Sequence, residues 1–453
     1  MNKSPVLWKM LTLIGCLLLL LVPLSMLSTL ITERSVWRDN VADKLSQSTS
    51  GPHRLFGPLI AIPWSEIVTE MREGKEVTVK VTHLRYFLPE SLKVTGDQKV
   101  EERKVGIYKG QVWRTGININ ATFNRDQLAD ITRPGVTLGD PLLVMGVGDP
   151  RGISSVTSLN IGDKQFDFQP GSQLPGNSEG LHVELPPEVL QEKSLALNFS
   201  LKLLGTQKLE VVPLGKNSTF DLKSNWPHPG FTGSFLPEQR QITPEGFTAR
   251  WQSSWFANNI NSLVRDDFTV STETLPAFSA MVVNPVDQYQ LTQRAVKYAI
   301  LLIGLTYMAF FLFETLTALR VHPMQYLLVG LSLVMFFLVL LALSEHIGFN
   351  LAWLTASLTC AAINGFYLQA VLQGWRRSLL FVGGVLALDA VLWQLLQSED
   401  SALLLGTGVL MAALAAVMAL TRNIDWYRLS AAAKPQESSE AGQDGKGRFG
   451  LWK

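Results

Sequence analysis

The residues of this chain that could carry chemistry begin with three polar side chains inside long apolar runs. Glu314 lies near the C-terminal end of one run, and Asn364 and Asp389 lie near the middle of two others. Ionisable groups are costly inside a membrane and by default mark proton or ion pathways. The structural alternative is that Glu314 pairs with Arg320 or His322 near the interface. Asp389 would then be satisfied inside the bundle by Asn364 or a hydroxyl, and both interpretations stay open.

A second group, His322, Glu345 and His346, stands at the ends of apolar runs. The predicted order of the helices places His322 on one membrane face and the Glu345-His346 pair on the other, so the three side chains cannot share a metal ion. A catalytic zinc normally takes three protein ligands, and the pair offers at most two. Cys16 and Cys360 both lie in apolar runs, which excludes a disulfide framework. We therefore expect no metal site, and we expect capping or interfacial hydrogen bonding from these polar side chains.

A third group lies in the polar middle of the chain, where Trp and Phe are interleaved with Pro, Asn and Gln. Its members are Trp226, His228, Phe231, Trp251 and Trp255. Their rings could stack on sugars while neighbouring amides bond hydroxyls, which would make a glycan or peptide platform. The alternative, which the pattern favours, is rigid turns whose rings plug the domain or rest on the membrane surface. No nucleophile elbow, P-loop, metalloprotease helix or dinucleotide fingerprint occurs, so neither a cofactor nor an enzyme activity is predicted.

Six apolar runs are long enough to position these groups in a membrane. A run of about 20 residues crosses a hydrocarbon core of roughly 30 Å as a helix that rises about 1.5 Å per residue. The first run lacks a small-residue cleavage site and continues past the L-x-G-C sequence that ends at Cys16. It is therefore typical of an uncleaved anchor rather than of a signal peptide or a lipoprotein. The runs lie at about 10–31, 295–319, 324–344, 350–371, 377–396 and 402–421.

Between the first run and the second, residues 32–293 contain no apolar run of span length. Alternation of apolar and polar residues, rich in Val, Ile, Thr and aromatics, predicts strands with one buried face. We expect an all-β sandwich or barrel-like body, as one domain or as two that meet in the turn-rich stretch at 169–187. The predicted fold class is a membrane protein of the α+β type, with a large β domain inserted between the first helix and the second. The clearest alternation lies at 75–89, 115–123, 194–205 and 218–226.

The distribution of charge predicts the orientation of the chain. Six helices place both termini on one side, and the turns that carry Arg320 or the Arg376-Arg377 pair then face the cytoplasm, because the opposite turns contain no Lys or Arg. The β domain is consequently expected in the periplasm. The tail at 422–453 is poor in apolar residues and is predicted to be disordered and cytoplasmic. A formal charge of +1 gives no reason to expect nucleic acid as a partner.

Four stretches carry a family resemblance, and they begin at Ser50 (SGPHRLFGPLIAIP), Asn225 (NWPHPGFTGSFLP), Asp287 (DQYQLTQRAVKYAILLIGLTYMAFFLFETL) and His322 (HPMQYLLVGLSLVMFFLVLLALSEHIGF). Together they resemble the CreD family of inner-membrane proteins of Gram-negative bacteria, over nearly the whole chain and least well after Leu429. The resemblance implies a protein associated with cell-envelope integrity, in the regulon of the CreBC two-component system and linked to colicin tolerance and the β-lactam response. It implies no established catalytic residues.

These observations predict a protein that supports envelope integrity and the response to envelope stress by binding through its β domain. Its expected partners are the lipid bilayer and, in the periplasm, envelope proteins or glycans. The alternative is a small transporter or ion-coupled device that uses Glu314 and Asp389. A sensor is a third possibility, although the short tail would leave its output to a recruited partner. The oligomeric state does not follow from the sequence.

Overall fold

The computed structural model of this chain divides into two compact units. The helical unit comprises Met1–Ser35 and Asp287–Lys453, and the β unit comprises Val36–Val286. Helices and a large β region are both present, as predicted. Nearly all of the predicted tail lies outside the described residues. Those residues are 5–72, 75–124, 126, 135–176, 178–258, 260, 264, 274–284, 287–317, 321–398 and 402–422.

The helices of the described residues include one long N-terminal helix and a series near the C-terminal end of the chain. They are α1 (Pro5–Ser48), α2 (Trp255–Asn258), α3 (Gln288–Lys297), α4 (Ala299–Thr317), α5 (Pro323–Ile347), α6 (Phe349–Val371), α7 (Trp375–Gln397) and α8 (Ala402–Thr421).

Four of the described helices are long and apolar enough to cross a membrane. They are α5, α6, α7 and the Trp8–Ser48 part of α1. The pair α3 and α4 passes the same test together but is bent by 42°, and it makes a fifth span if the pair counts as one. The apolar part of α8, Leu404–Ala419, is shorter than these spans. The described residues thus contain four or five of the six predicted spans.

The segment before α4 departs from the prediction. The sequence predicts a continuous apolar helix from about residue 295, whereas a separate helix, α3, already begins at Gln288 and the next starts at Ala299. The Asp287 side chain caps α3, because its carboxylate accepts a hydrogen bond from the Tyr289 N–H at 3.0 Å. Most α3 side chains are polar, so a search for apolar runs passes over this helix.

Capping residues explain where the central helical hairpin turns. The His322 side chain accepts from the Met324 N–H at 3.2 Å, and the His322 N–H donates to Gln325 at 3.0 Å, which together form a capping box for α5. Pro323 then occupies the first turn, where its missing N–H costs nothing. The helix ends at Ile347 and is followed by Gly348, whose φ of 80° suits glycine and lets α6 start at the next residue.

The β unit contains two nine-stranded sheets. The strands are β1 (His53–Arg72), β2 (Lys75–Phe87), β3 (Ser91–Val105), β4 (Tyr108–Asn124), β5 (Val136–Leu138), β6 (Leu142–Val147), β7 (Ile153–Val156), β8 (Leu159–Ile161), β9 (Lys164–Phe166), β10 (Gln169–Pro170), β11 (Gly180–Glu184), β12 (Ser194–Thr206), β13 (Lys208–Val211), β14 (Asn217–Ser224), β15 (Pro229–Gly233), β16 (Gln239–Thr243), β17 (Gly246–Ser254) and β18 (Phe278–Val282). In the first sheet the strand order is β10-β11-β6-β1-β13-β18-β15, with β2 and β5 also paired to β1. In the second the order is β16-β17-β14-β3-β4-β12-β8-β9, with β7 paired to β12.

One hydrophobic core serves both sheets. Its buried members include Phe56 and Phe278 of the first sheet with Trp113, Phe199 and Trp251 of the second. Along most of β4, β12 and β14 buried residues alternate with more exposed ones, which is why the periodicity predicted strands in these places. The turn-rich stretch at 169–187 contains β10 and β11, which extend the first sheet beside β6.

Candidate functional site

The carboxylate of Glu314 is held by three groups from different parts of the helical unit. It is 7% exposed. It receives a hydrogen bond from the Lys9 ammonium of α1, one from the Val321 N–H at 3.0 Å, and one from the Tyr326 hydroxyl of α5 at 2.8 Å. Glu314 is therefore the point where α1, α4 and α5 are joined by polar contacts.

The structure gives Glu314 a cationic partner that the sequence did not suggest. His322 uses its side chain to cap α5, and Arg320 lies outside the described residues. The cation is Lys9, which is 305 positions away in the chain and follows only from the tertiary structure. Removing Lys9 would leave this carboxylate without its cation, and loss of one partner of a buried ion pair is typically destabilising.

Asp389 is the opposite case. It lies in α7 and is 3% exposed, and its Oδ1 has no hydrogen-bond partner within the described part of the chain. Ser357 of α6 is the hydroxyl that interacts with it, but the Ser357 Oγ also makes no hydrogen bond within the described part of the chain. Asn364, the other expected partner, is bonded elsewhere, to Ser332 Oγ at 2.7 Å and to the Cys360 carbonyl at 3.0 Å. Asp389 is thus a buried carboxyl group with unused hydrogen-bonding capacity.

Polar side chains continue along the contact between α6 and α7 on both sides of Asp389. At one end, the Gln397 amide donates to Asn350 Oδ1 at 2.8 Å. At the other end, the Ser378 hydroxyl donates to the Gly365 carbonyl at 2.8 Å. We call this set the polar seam. Its members are Asn350, Ser357, Cys360 and Asn364 of α6 with Ser378, Asp389 and Gln397 of α7.

Glu345 and His346 lie at the far end of α5 from His322. With 23 positions between His322 and Glu345, a rise of about 1.5 Å per residue separates them by roughly 35 Å. Glu345 accepts from the Tyr289 hydroxyl at 3.0 Å, and the Arg34 guanidinium lies 4.0 Å away. His346 is exposed. Among the described residues no group of three or more His, Cys, Asp or Glu side chains could hold a metal ion.

The five aromatic and histidine candidates of the β unit do not form one surface. Trp251 is fully buried, and its ring lies 5.1 Å from Phe220 and 5.6 Å from Phe231, so Trp251 and Phe231 belong to the core packing. The Trp226 indole donates to the Val283 carbonyl at 2.9 Å, and its ring is 6.3 Å from His228. Trp255 is 40% exposed on α2. Trp251 cannot contact a ligand, because β17 alternation turns it inward.

A polar groove on the second sheet was not apparent from the sequence. It has a volume of about 460 Å³ and lies across β3, β14, β17 and β16. Asp221 of β14 stands opposite Arg250 of β17, with 3.6 Å between Oδ1 and Nε. The residues that line the groove come from four separate segments of the chain, so only the register of the strands brings them together. The polar lining consists of Thr95, Asp221, Lys223, Gln239, Arg240, Gln241, Thr248 and Arg250.

The β unit also buries a histidine that sequence reasoning missed. His53 is fully buried, with its Nε2 2.7 Å from the Leu204 carbonyl and its ring against Trp113. Burial lowers the pKa of His53, and the bond to Leu204 and the charge of Asp149 offset part of that effect. The side-chain bond from Arg151 holds the pKa of Asp149 at about 2. His53 is accordingly neutral and Asp149 ionised near pH 7, as expected of a structural cluster.

The chain has several membrane-spanning helices, an ion pair that joins two of them, a polar seam between two others, and a large β unit that follows the first helix in sequence. These features define a multi-span membrane protein. The chain belongs to the CreD family, because the family model described as Inner membrane protein CreD matches residues 5–427. It is 52% identical over 453 residues to Inner membrane protein CreD of Escherichia coli (strain K12), with 100% of both chains covered. The family resemblance of the four sequence stretches is confirmed. Neither name denotes an enzyme activity.

Proposed function

We propose that this chain is an inner-membrane protein that supports cell-envelope integrity by binding an envelope component through its β unit. The observation that carries the proposal is the polar groove on the second sheet. It presents a carboxylate, three cationic side chains, amides and hydroxyls on one face. Such a lining suits a polar ligand that both donates and accepts hydrogen bonds, such as an envelope glycan or an extended peptide.

The charged side chains of the groove differ in whether they form an ion pair within the protein. Arg250 is paired with Asp221, whereas Lys223 and Arg240 are exposed and have no ion pair in the described part of the chain. A free cation beside hydroxyl and amide groups favours a ligand that also carries anionic groups. We therefore assign Lys223 and Arg240 to ligand contact and the Asp221–Arg250 pair to shaping the groove.

The proposed orientation has both termini in the cytoplasm and the β unit in the periplasm. It is supported by Arg376 and Arg377 at the start of α7 and by the absence of Lys and Arg from residues 344–350 and 397–401. The test is labelling of single cysteines in intact cells with a membrane-impermeant maleimide, after Cys16 and Cys360 have been replaced by alanine. Lys202→Cys in β12 should be labelled, whereas Gln373→Cys in the turn before α7 should react only after lysis. The reverse pattern would contradict the orientation.

The binding role is tested by complementation of a deletion strain under envelope stress. The double variant Lys223→Ser with Arg240→Ser should lose function, because it removes the free cations of the groove. The matched control, Lys93→Ser with Lys202→Ser, removes the same charge from exposed positions of the same sheet outside the groove lining and should complement normally. Full complementation by both variants, with membrane insertion verified, would refute the role of the groove.

A second candidate function, transport or ion coupling, is favoured by one observation. Asp389 is buried in a membrane-spanning helix without a cationic partner among the described residues, whereas Glu314 is engaged by three groups. The transport function therefore depends on Asp389 and not on Glu314. If Asp389→Asn alone abolished complementation while the protein inserted normally, the transport function would replace the binding role.

A further inference from the structure

We propose that Asp389 is a reversible proton-binding site in the helical unit, reached along the polar seam from the end formed by Asn350 and Gln397. This goes beyond the binding role of the β unit, and it stands or fails independently of that role. It starts from a buried carboxyl group with an unused oxygen, Oδ1, and from a neighbouring hydroxyl, Ser357, that is also unused.

The surroundings of Asp389 provide no compensating charge. On α6, the groups that interact with it are the Ser357 hydroxyl and the Cys360 thiol. The surfaces that line the cavities beside residues 380–395 of α7 are mostly apolar, with Tyr298, Thr306 and Thr407 as polar exceptions. The helix α3 also contacts α7, and its charged residues Arg294 and Lys297 are exposed. Within the described part of the chain no Lys, Arg or His is paired with Asp389. An ionised carboxylate is costly in such a place, and binding a proton removes the charge.

The proton also satisfies the two unused polar atoms. A hydronium ion transfers its proton to the Asp389 carboxylate, which forms an O–H bond and becomes a neutral acid while the hydronium ion becomes water. That O–H can donate to Ser357 Oγ, which has a free lone pair. Release returns the proton to water and restores the carboxylate. The step therefore needs no reactant other than water and a proton.

The route follows from the positions of the polar residues on two helices. Asp389, Trp393 and Gln397 recur at intervals of four and share one face of α7. Asn350 accepts from both Trp393 (3.3 Å) and Gln397 (2.8 Å) at the exposed end of this face. From Gln397 to Asp389 is eight residues, or roughly 12 Å along the helix. In the opposite direction the Asn364 amide is already bonded to Ser332 and Cys360, so we place the entrance at the Asn350–Gln397 end.

Infrared spectroscopy of the purified full-length protein in lipid tests the site directly. We expect a carbonyl-stretch band of a protonated carboxylic acid near neutral pH, lost reversibly in alkaline buffer. Asp389→Asn should remove the band, and Ser357→Ala should shift it because the acid loses its acceptor. Glu314→Gln should leave the band in place, since that carboxylate is ion-paired. Absence of the band in the wild-type protein would overturn the proposal. So would a band that disappears when Na⁺ is added at constant pH, because the site would then bind a metal cation.

The route is tested by the rate at which the same band shifts after transfer to heavy water. The double variant Asn350→Leu with Gln397→Leu should slow the shift at least several-fold, because it removes the polar entrance. Gln394→Leu, an exposed glutamine of the same helix that is not part of the polar seam, is the matched control and should not change the rate. Equal rates in all three proteins would overturn the route.

Discussion

The ion pair between Lys9 and Glu314 gives the sharpest energetic prediction for the helical unit. We consider Lys9→Met, Glu314→Gln and the double variant. The Lys9 side chain is 25% exposed and the Glu314 side chain 8%, so solvent partly screens the pair. Breaking it should therefore lower the free energy of unfolding by less than the 3 to 5 kcal/mol typical of a fully buried pair. Lys9→Met still leaves Glu314 its bonds to Val321 and Tyr326. We expect each single variant to lower the free energy of unfolding by about 2 kcal/mol.

The double variant should cost less than the sum of the two single variants, because it leaves no unpaired charge. We expect a coupling energy of about 1 to 2 kcal/mol. The assay is a double-mutant cycle on the full-length protein, unfolded by SDS in mixed micelles and followed by tryptophan fluorescence. Lys297→Met, at an exposed lysine of α3, is the control and should change the free energy by less than about 0.5 kcal/mol. Strict additivity of the two single variants would refute the pairing and, with it, the docking of α1 on α4.

Three further predictions concern the β unit and are best read by urea denaturation of the full chain. Trp251→Ala should destabilise it by about 3 to 5 kcal/mol, because it empties a fully buried site, whereas Trp255→Ala on the exposed α2 should cost less than about 1 kcal/mol. Similar losses for both would mean that Trp251 is not in the core. The pKa of His53 is lowered by burial, so the unfolded chain binds a proton more readily, and stability should fall as the pH drops below about 6.5. His53→Gln should flatten that part of the pH profile, and an unchanged profile would contradict the assignment. Gly152→Ala should cost about 3 kcal/mol, because the added methyl group would overlap the His53 ring and the Leu204 carbonyl, which is backbone and cannot move aside. A stable, normally folded Gly152→Ala protein would show that this contact is looser than described.

Long apolar runs and regular alternation of apolar and polar residues predicted much of the fold. The hairpin that turns at Pro323 follows from two apolar runs and a break between them, and the strands β4, β12 and β14 follow from alternation. The helix α3 was missed because it is short and polar, and its boundary depends on the capping side chain of Asp287.

The sites were harder to predict than the fold, because each depends on contacts between distant segments. Nothing local links Lys9 to Glu314, and only the pairing of β14 with β17 and of β17 with β16 builds the groove. Trp251 shows the same limit. The sequence left a surface platform and packing inside the domain both open and favoured the packing, and only its position in β17 shows that the ring points into the core.

The proposed location of the β unit and the use of its groove can be tested in one measurement. Gln241→Cys in the groove and Lys202→Cys outside it are labelled with an impermeant maleimide, both in intact cells and after purification, with Cys16 and Cys360 replaced by alanine. We predict that both cysteines react in intact cells, and that Gln241→Cys alone reacts faster once the protein is purified, because an envelope component then no longer covers the groove. Equal rates for Gln241→Cys in cells and after purification would contradict an occupied groove, and no labelling of either cysteine in cells would contradict the periplasmic location.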